Sequence, residues 1–333
     1  MKHFRADNLN CLLLSAILAL IIVVYSPSIP SMASSELDGP VDLRSDAMTL
    51  RQAAVLGVIE GLTEYLPVSS TGHLLLAEQI MGIGESSQIT TLELKQTKDA
   101  VDAYTICIQA GAIIAVLGLY FRRIVQMAQG LVGRNDEGRR ILINVVAGFL
   151  PAAVIGLLFS GIIKGYLFGL WPVVTAWFAG GIAILFVSWR RQGRTYKVRE
   201  GIQLNELTWK MALIIGSAQC IAMWPGVSRS LITICGGLLV GLSMAAAVEY
   251  SFLLGVLTLS AATAYDALKH GHVMLQTFDS LALATGLLFA FLAAVISVKW
   301  MVSYLNRHGL DLFGYYRVTL SIVVALLLAK QFI

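Results

Sequence analysis

Glu60 and Glu64 stand four residues apart in an otherwise apolar stretch, and Pro67, Ser69, Ser70, Thr71 and His73 come soon after. A second apolar stretch ends in Pro225-Gly226, with Ser228, Arg229, Ser230 and Thr233 behind it. A spacing of four puts both carboxylates on one helix face. Two acids in hydrocarbon are costly, and such residues pair or mark a pathway. Their mutual repulsion is relieved by an arginine or a divalent cation, and oxygen ligands suit Mg²⁺ or Ca²⁺. Glu60 and Glu64 are therefore the candidate metal ligands. Pro67 disfavours helix at Leu66, which leaves Ser69, Ser70 and Thr71 as cap candidates for a helix starting near His73. A helix N-terminus with hydroxyls binds anions; plain capping is the competing use. His73, three residues beyond Ser70, makes a nucleophile–base pair available. The guanidinium of Arg229 needs an anionic partner in mid-membrane, either Glu60 or Glu64 internally or a phosphate, which its planar fork matches. Thr233 lies one turn on, and Gly226 lets backbone approach closely. Acids, hydroxyls, one imidazole and one arginine suit phosphoryl transfer, which is mostly positioning and charge neutralisation. A transport site would use much of the same kit.

The elements that must position these groups are membrane helices. The 333-residue chain is 57% hydrophobic and 13% charged, against about 25% charged in soluble domains. Its continuous apolar runs of about 20 residues predict an all-α integral membrane protein and argue against a β-barrel. At a net charge of +4 no basic block suits nucleic acid. Cys11, Cys107, Cys220 and Cys235 are scattered singly and read as packing residues; so do His3, His270, His272 and His308. Broken segments are expected at about 48–82 and 209–241, and six spans near 101–121, 141–163, 171–189, 245–266, 280–304 and 315–333. Hydrocarbon tolerates breaks only where backbone lines a cavity. The basic residues of 122–140 and 190–210 place both stretches on the cytoplasmic side. The first broken segment must then enter and leave from outside, and the second from inside. Each half, about 48–190 and 209–333, is one re-entrant hairpin plus three spans, an inverted-topology repeat. Residues 1–47 carry Lys2 and Arg5, an apolar run from Cys11 to Tyr25 and a small-residue Ser31-Met32-Ala33 site. That is the pattern of a signal peptide or a retained anchor plus linker, and in both cases the next residue is exported.

At these motifs the chain resembles the bacterial undecaprenyl-diphosphatase family, also called bacitracin-resistance proteins. The resemblance rests on Glu60-x-x-x-Glu64 running into Pro67-Val68-Ser69-Ser70-Thr71-Gly72-His73, and on Pro225-Gly226-Val227-Ser228-Arg229-Ser230-x-x-Thr233. The stretch from Glu249 to Leu254 and the pair Tyr316-Arg317 also look familial. The likeness covers about 48–333. Many relatives have Gly where Leu231 stands and Pro where Leu257 stands, neither a chemical group, and the extension to residue 47 is outside the usual pattern. The resemblance implies hydrolysis of undecaprenyl diphosphate to undecaprenyl phosphate and inorganic phosphate, which recycles the lipid carrier for peptidoglycan and confers bacitracin resistance. It implies a divalent cation, Mg²⁺ or Ca²⁺, and a multi-pass protein of the plasma membrane whose site faces the periplasm or exterior. It casts Glu60 and Glu64 as cation ligands or proton carriers, and Ser70 as nucleophile with His73 as base or acid. Arg229 would clamp the diphosphate, assisted by Ser69, Thr71, Ser228, Ser230 and Thr233, with Arg317 a lesser candidate. His73 or a metal-bound water remains an alternative nucleophile, and a homodimer remains open. The rival from another class is a transporter or flippase of a phosphorylated lipid. Ser70-Thr71-Gly72-His73 also faintly echoes the type-2 phosphatidic acid phosphatases, but no histidine comes after Arg229 before His270.

Overall fold

The computed structural model describes residues 48–83, 91–191 and 201–332, so the expected N-terminal signal or anchor lies outside the described residues. Eleven α-helices succeed one another among the described residues. The first broken segment supplies α1 (Leu50–Thr63) and α2 (Ser70–Met81). Then come α3 (Thr91–Leu119), α4 (Phe121–Leu131), α5 (Asp136–Leu167) and α6 (Leu170–Arg191). The second broken segment supplies α7 (Trp209–Gln219) and α8 (Arg229–Leu239). The chain ends in α9 (Met244–Thr277), α10 (Ser280–His308) and α11 (Asp311–Ala329). Helices α5, α6, α9, α10 and α11 are long and apolar enough to cross a membrane, and Tyr104–Leu119 of α3 qualifies jointly with α4 across an 80° bend. The protein is therefore a multi-pass helical membrane protein.

The basic stretch expected as a loop over 122–140 is largely helix. Its apolar residues recur at helical spacing, so Ile124 and Met127 pack on the core while Phe121 and Leu131 stay exposed. Arg123 of α4 pairs with Glu137 of α5 at 3.1 Å and with Glu249 of α9 at 2.6 Å. Asn135 caps α5, accepting from Gly138 N at 2.8 Å, and Thr208 and Ser243 cap α7 and α9.

Small residues let the helices of the broken segments approach the long helices, because packing in lipid depends on close backbone contact. A methyl on Gly57 of α1 would lie 2.2 Å from Gly286 O of α10, and one on Gly61 2.2 Å from Ala290 O. In the other half, a methyl on Gly216 of α7 would lie 2.1 Å from Gly148 O of α5. Tyr104 and Tyr250 fill the same place beside these crossings: their hydroxyls would lie 2.1 and 2.3 Å from a methyl on Gly286 and Gly148, respectively. Such matched contacts are consistent with an inverted repeat, and they bring both breaks to the middle of the bundle.

Candidate active site

Both breaks turn on a serine with a left-handed backbone. Ser69 has φ 75° and Ser228 φ 76°, a region costing a non-glycine residue about 1–3 kcal/mol. Each is the residue just before a new helix, so α2 starts at Ser70 rather than near His73. Ser228 Oγ accepts from Leu231 N at 3.3 Å, whereas Ser69 makes no side-chain cap. The unwound first break leaves four consecutive carbonyls without helical partners; side chains reach all four, and Leu66 O also accepts from Val68 N at 2.8 Å. Leu66 O accepts from Ser230 Oγ at 2.8 Å, with Ser228 Oγ 3.4 Å away. Pro67 O accepts from Arg317 Nη1 at 3.3 Å, Val68 O from Trp177 Nε1 at 3.0 Å, and Ser69 O from His73 Nδ1 at 2.6 Å. Buried backbone acceptors need such partners, and here they come from α2, α6, α8 and α11.

Glu64 is the centre of the assembled site. Its Oε1 accepts from Arg229 Nη2 at 3.2 Å, and its Oε2 accepts from Ser70 Oγ. The carboxylate therefore ties the first break to the second. Arg229 also donates from Nη1 to Ser251 O at 3.3 Å, and its guanidinium lies 5.6 Å from the Tyr65 ring centre, a cation–π distance. Gly255 makes room for it, since a methyl there would lie 2.1 Å from Nη1. Several buried polar atoms around this centre have no hydrogen-bond partner: both oxygens of Glu60, the Tyr65 hydroxyl and Arg229 Nε. Glu60 lies close to Glu64 and Arg229, and the Tyr65 hydroxyl lies close to all three. Buried polar atoms of this kind call for an explanation, and several gathered at one centre make it the candidate site.

The structure corrects three sequence expectations. Ser70 and His73 do not pair. The Ser70 hydroxyl goes to Glu64, and His73 spends Nδ1 on Ser69 O and Nε2 on Tyr316 OH at 2.7 Å. A carbonyl only accepts, so Nδ1 bears the hydrogen and Nε2 accepts from the tyrosine. The second correction concerns Ser230 and Thr233, both wholly buried. Ser230 grips Leu66 O, and Thr233 donates to Arg229 O at 2.9 Å and sits 2.6 Å from Ser251 Oγ. They brace the site from behind. The third is Arg317, also wholly buried, whose N–H groups all meet backbone carbonyls. Thr71 is half-buried at the start of α2. Tyr65, Trp177 and Gly255 also shape the site. Of these, only Tyr65 carries a signal in the sequence, its place beside Glu64.

Fold and site together define a polytopic membrane protein with a buried carboxylate–arginine–hydroxyl centre at the meeting of two broken helices. The chain belongs to the family described as "Bacitracin resistance protein BacA", whose pattern matches residues 53–323. It is similar to the undecaprenyl-diphosphatase of Nitrosomonas europaea, 41% identical over 282 residues, which is 84% of this chain and 95% of the relative. The undecaprenyl-diphosphatase 2 of Rhodospirillum rubrum is 41% identical over 279 residues, 84% of this chain and 95% of that one. That of Sorangium cellulosum is 41% identical over 273 residues, 82% of this chain and 84% of the relative.

Proposed function

We propose that this protein removes the terminal phosphate of undecaprenyl diphosphate, giving undecaprenyl phosphate and inorganic phosphate. The carrier lipid is thereby recycled for cell-wall synthesis, with bacitracin resistance as a consequence. The names of the relatives support the substrate. The observation that carries the chemistry is Glu64 holding Ser70 Oγ and Arg229 on its two oxygens. Ser70 Oγ attacks the terminal phosphorus as its proton passes to Glu64. The phosphorus–oxygen bond to the bridging oxygen breaks, and undecaprenyl phosphate leaves. Water then hydrolyses the phosphoserine, releasing phosphate and restoring Ser70. Arg229 offers Nε–H, which no protein group uses, to the transferred phosphate, with the positive charge that stabilises phosphoryl transfer.

Glu60 fits a divalent cation, because both of its buried oxygens lack partners. Glu64, committed to Arg229 and Ser70, would contribute the second carboxylate. Among the described residues no group of three His, Cys, Asp or Glu could hold a metal alone. Diphosphate oxygens would complete the shell, as in many Mg²⁺ sites. When bound, Mg²⁺ or Ca²⁺ neutralises charge on the diphosphate. The protein resides in the plasma membrane, with its site reached from the outer face. The basic residues of α4 and the start of α5, opposite the expected entrance of the first hairpin, support that orientation.

The test is phosphate release by purified protein in detergent with Mg²⁺, Ca²⁺ or chelator, followed by acid quench and mass analysis of the Ser70 peptide. Cation-dependent release with a transient phosphoserine is expected. Absence of release from folded wild type would overturn the reading, and release without phosphoserine would overturn the role of Ser70. A steric variant offers a second check. Gly255→Ala pushes against Arg229 without removing a polar group, and a displacement of about 1 Å is expected to cost about 100-fold in kcat. Steady-state kinetics beside a melting curve would measure it.

A further inference from the structure

We propose that Arg317 is a positioning residue: one buried guanidinium clamps the backbone of both breaks and holds Ser69 and Ser228 in their left-handed conformations. The proposal rests on the phosphatase reading for its kinetic arm alone. Arg317 is wholly buried in α11, with no carboxylate partner among the described residues. A guanidinium has five N–H groups, and here five carbonyls receive them. Nε donates to Trp177 O at 3.4 Å, Nη1 to Pro67 O at 3.3 Å and Val227 O at 3.1 Å, and Nη2 to Ala176 O at 2.9 Å and Gly226 O at 2.8 Å. No donor is left for a phosphate.

The two breaks present equivalent carbonyls to this arginine. Pro67 lies two residues before Ser69 and Gly226 two residues before Ser228, so the clamp grips the same position in each break. Val227 adds the peptide next to Ser228. The residues directly after the two strained serines are Ser70 and Arg229, which meet on Glu64. Strained backbone persists only where its surroundings over-determine it, and Arg317 constrains both breaks at once. Gly180 cradles the guanidinium, since a methyl there would lie 2.3 Å from Nη2. A cation without a counter-ion is costly in a membrane; five carbonyl dipoles oriented by α6 and the two breaks offset that cost.

Lysine has three N–H groups and cannot span both sets. Arg317→Lys is expected to lower kcat about 100-fold while KM for undecaprenyl diphosphate stays within about twofold, as loss of a transition-state-only arrangement requires. Amide hydrogen exchange should accelerate in peptides covering both 64–72 and 224–231, with the long helices unchanged. Adding Ser69→Gly, which accepts φ 75° without strain, should recover about tenfold in kcat; adding Ser69→Ala, which removes the hydroxyl but keeps the strain, should not. A rise in KM at unchanged kcat, equal effects of Gly and Ala, or faster exchange across the whole protein would overturn the proposal. If Arg317→Lys does not fold, Gly180→Ala displaces the guanidinium with its charge intact and should give the same two-break exchange pattern; unchanged exchange there would overturn it too. If wild type releases no phosphate, the phosphatase reading fails, and the exchange arm alone decides the clamp.

Discussion

Arg229→Ala is expected to lower kcat/KM for phosphate release about a thousandfold, the upper end for loss of one preorganised transition-state donor. The guanidinium divides its work by atom. Nη2 engages Glu64, Nη1 engages Ser251 O, and Nε has no protein partner. Lysine cannot reproduce that fork, so Arg229→Lys should lose nearly as much while keeping the charge. The alanine variant should also lose stability. The Arg229 and Glu64 side chains are 11% and 6% exposed, and removing one member of a buried pair costs about 3–5 kcal/mol. Steady-state kinetics in detergent, with melting curves for each variant, separate the two effects. Activity of Arg229→Lys near that of wild type would show that charge alone suffices.

Glu64→Gln should lower kcat by about a hundredfold to ten-thousandfold, the range for a lost general base. The amide can still accept a hydrogen bond from Ser70, but it takes no proton at Oε2 and weakens the tie to Arg229. Because Ser70 and Glu64 would act as a unit, the double variant Glu64→Gln/Ser70→Ala should be scarcely slower than either single variant. Acid quench should find no phosphoserine in any of the three. Losses that multiply would mean that the two residues serve separate steps, and would return the role of base to another group. His73 is poorly placed to take it from this conformation, since both ring nitrogens are occupied.

Much of this protein is legible along its chain. The apolar runs and the two Pro-Ser breaks foretell membrane helices and two broken segments, and the matched glycine crossings are consistent with the inverted arrangement that the clustering of Arg and Lys suggests. Hydropathy and backbone sterics act locally, so they leave a local trace. Glu60, Glu64, Ser70 and Arg229 stand out for the same reason: polar groups in hydrocarbon are costly enough to demand a function. Partnership is another matter. Ser70 and His73 are three apart on one helix, a spacing that allows a pair, yet the left-handed Ser69 and the return of α2 aim the hydroxyl at Glu64 and the imidazole at Tyr316. Ser230 and Thr233 share a motif with Arg229 but face Leu66 and Ser251.

Arg317 shows the division most sharply. Its sequence neighbourhood marks only an arginine inside an apolar helix, and phosphate is the simplest partner to imagine for it. Its actual partners are backbone carbonyls of α6 and of two breaks that lie far away in sequence. Backbone acceptors carry no side-chain signature, and whether a carbonyl is free depends on where a helix has unwound. The sequence by itself determined the membrane fold, the family and the residues able to do chemistry, because those come from composition and local pattern. Only the tertiary structure decided which of them meet at Glu64 and which are spent on backbone carbonyls, because that depends on how two interrupted helices meet.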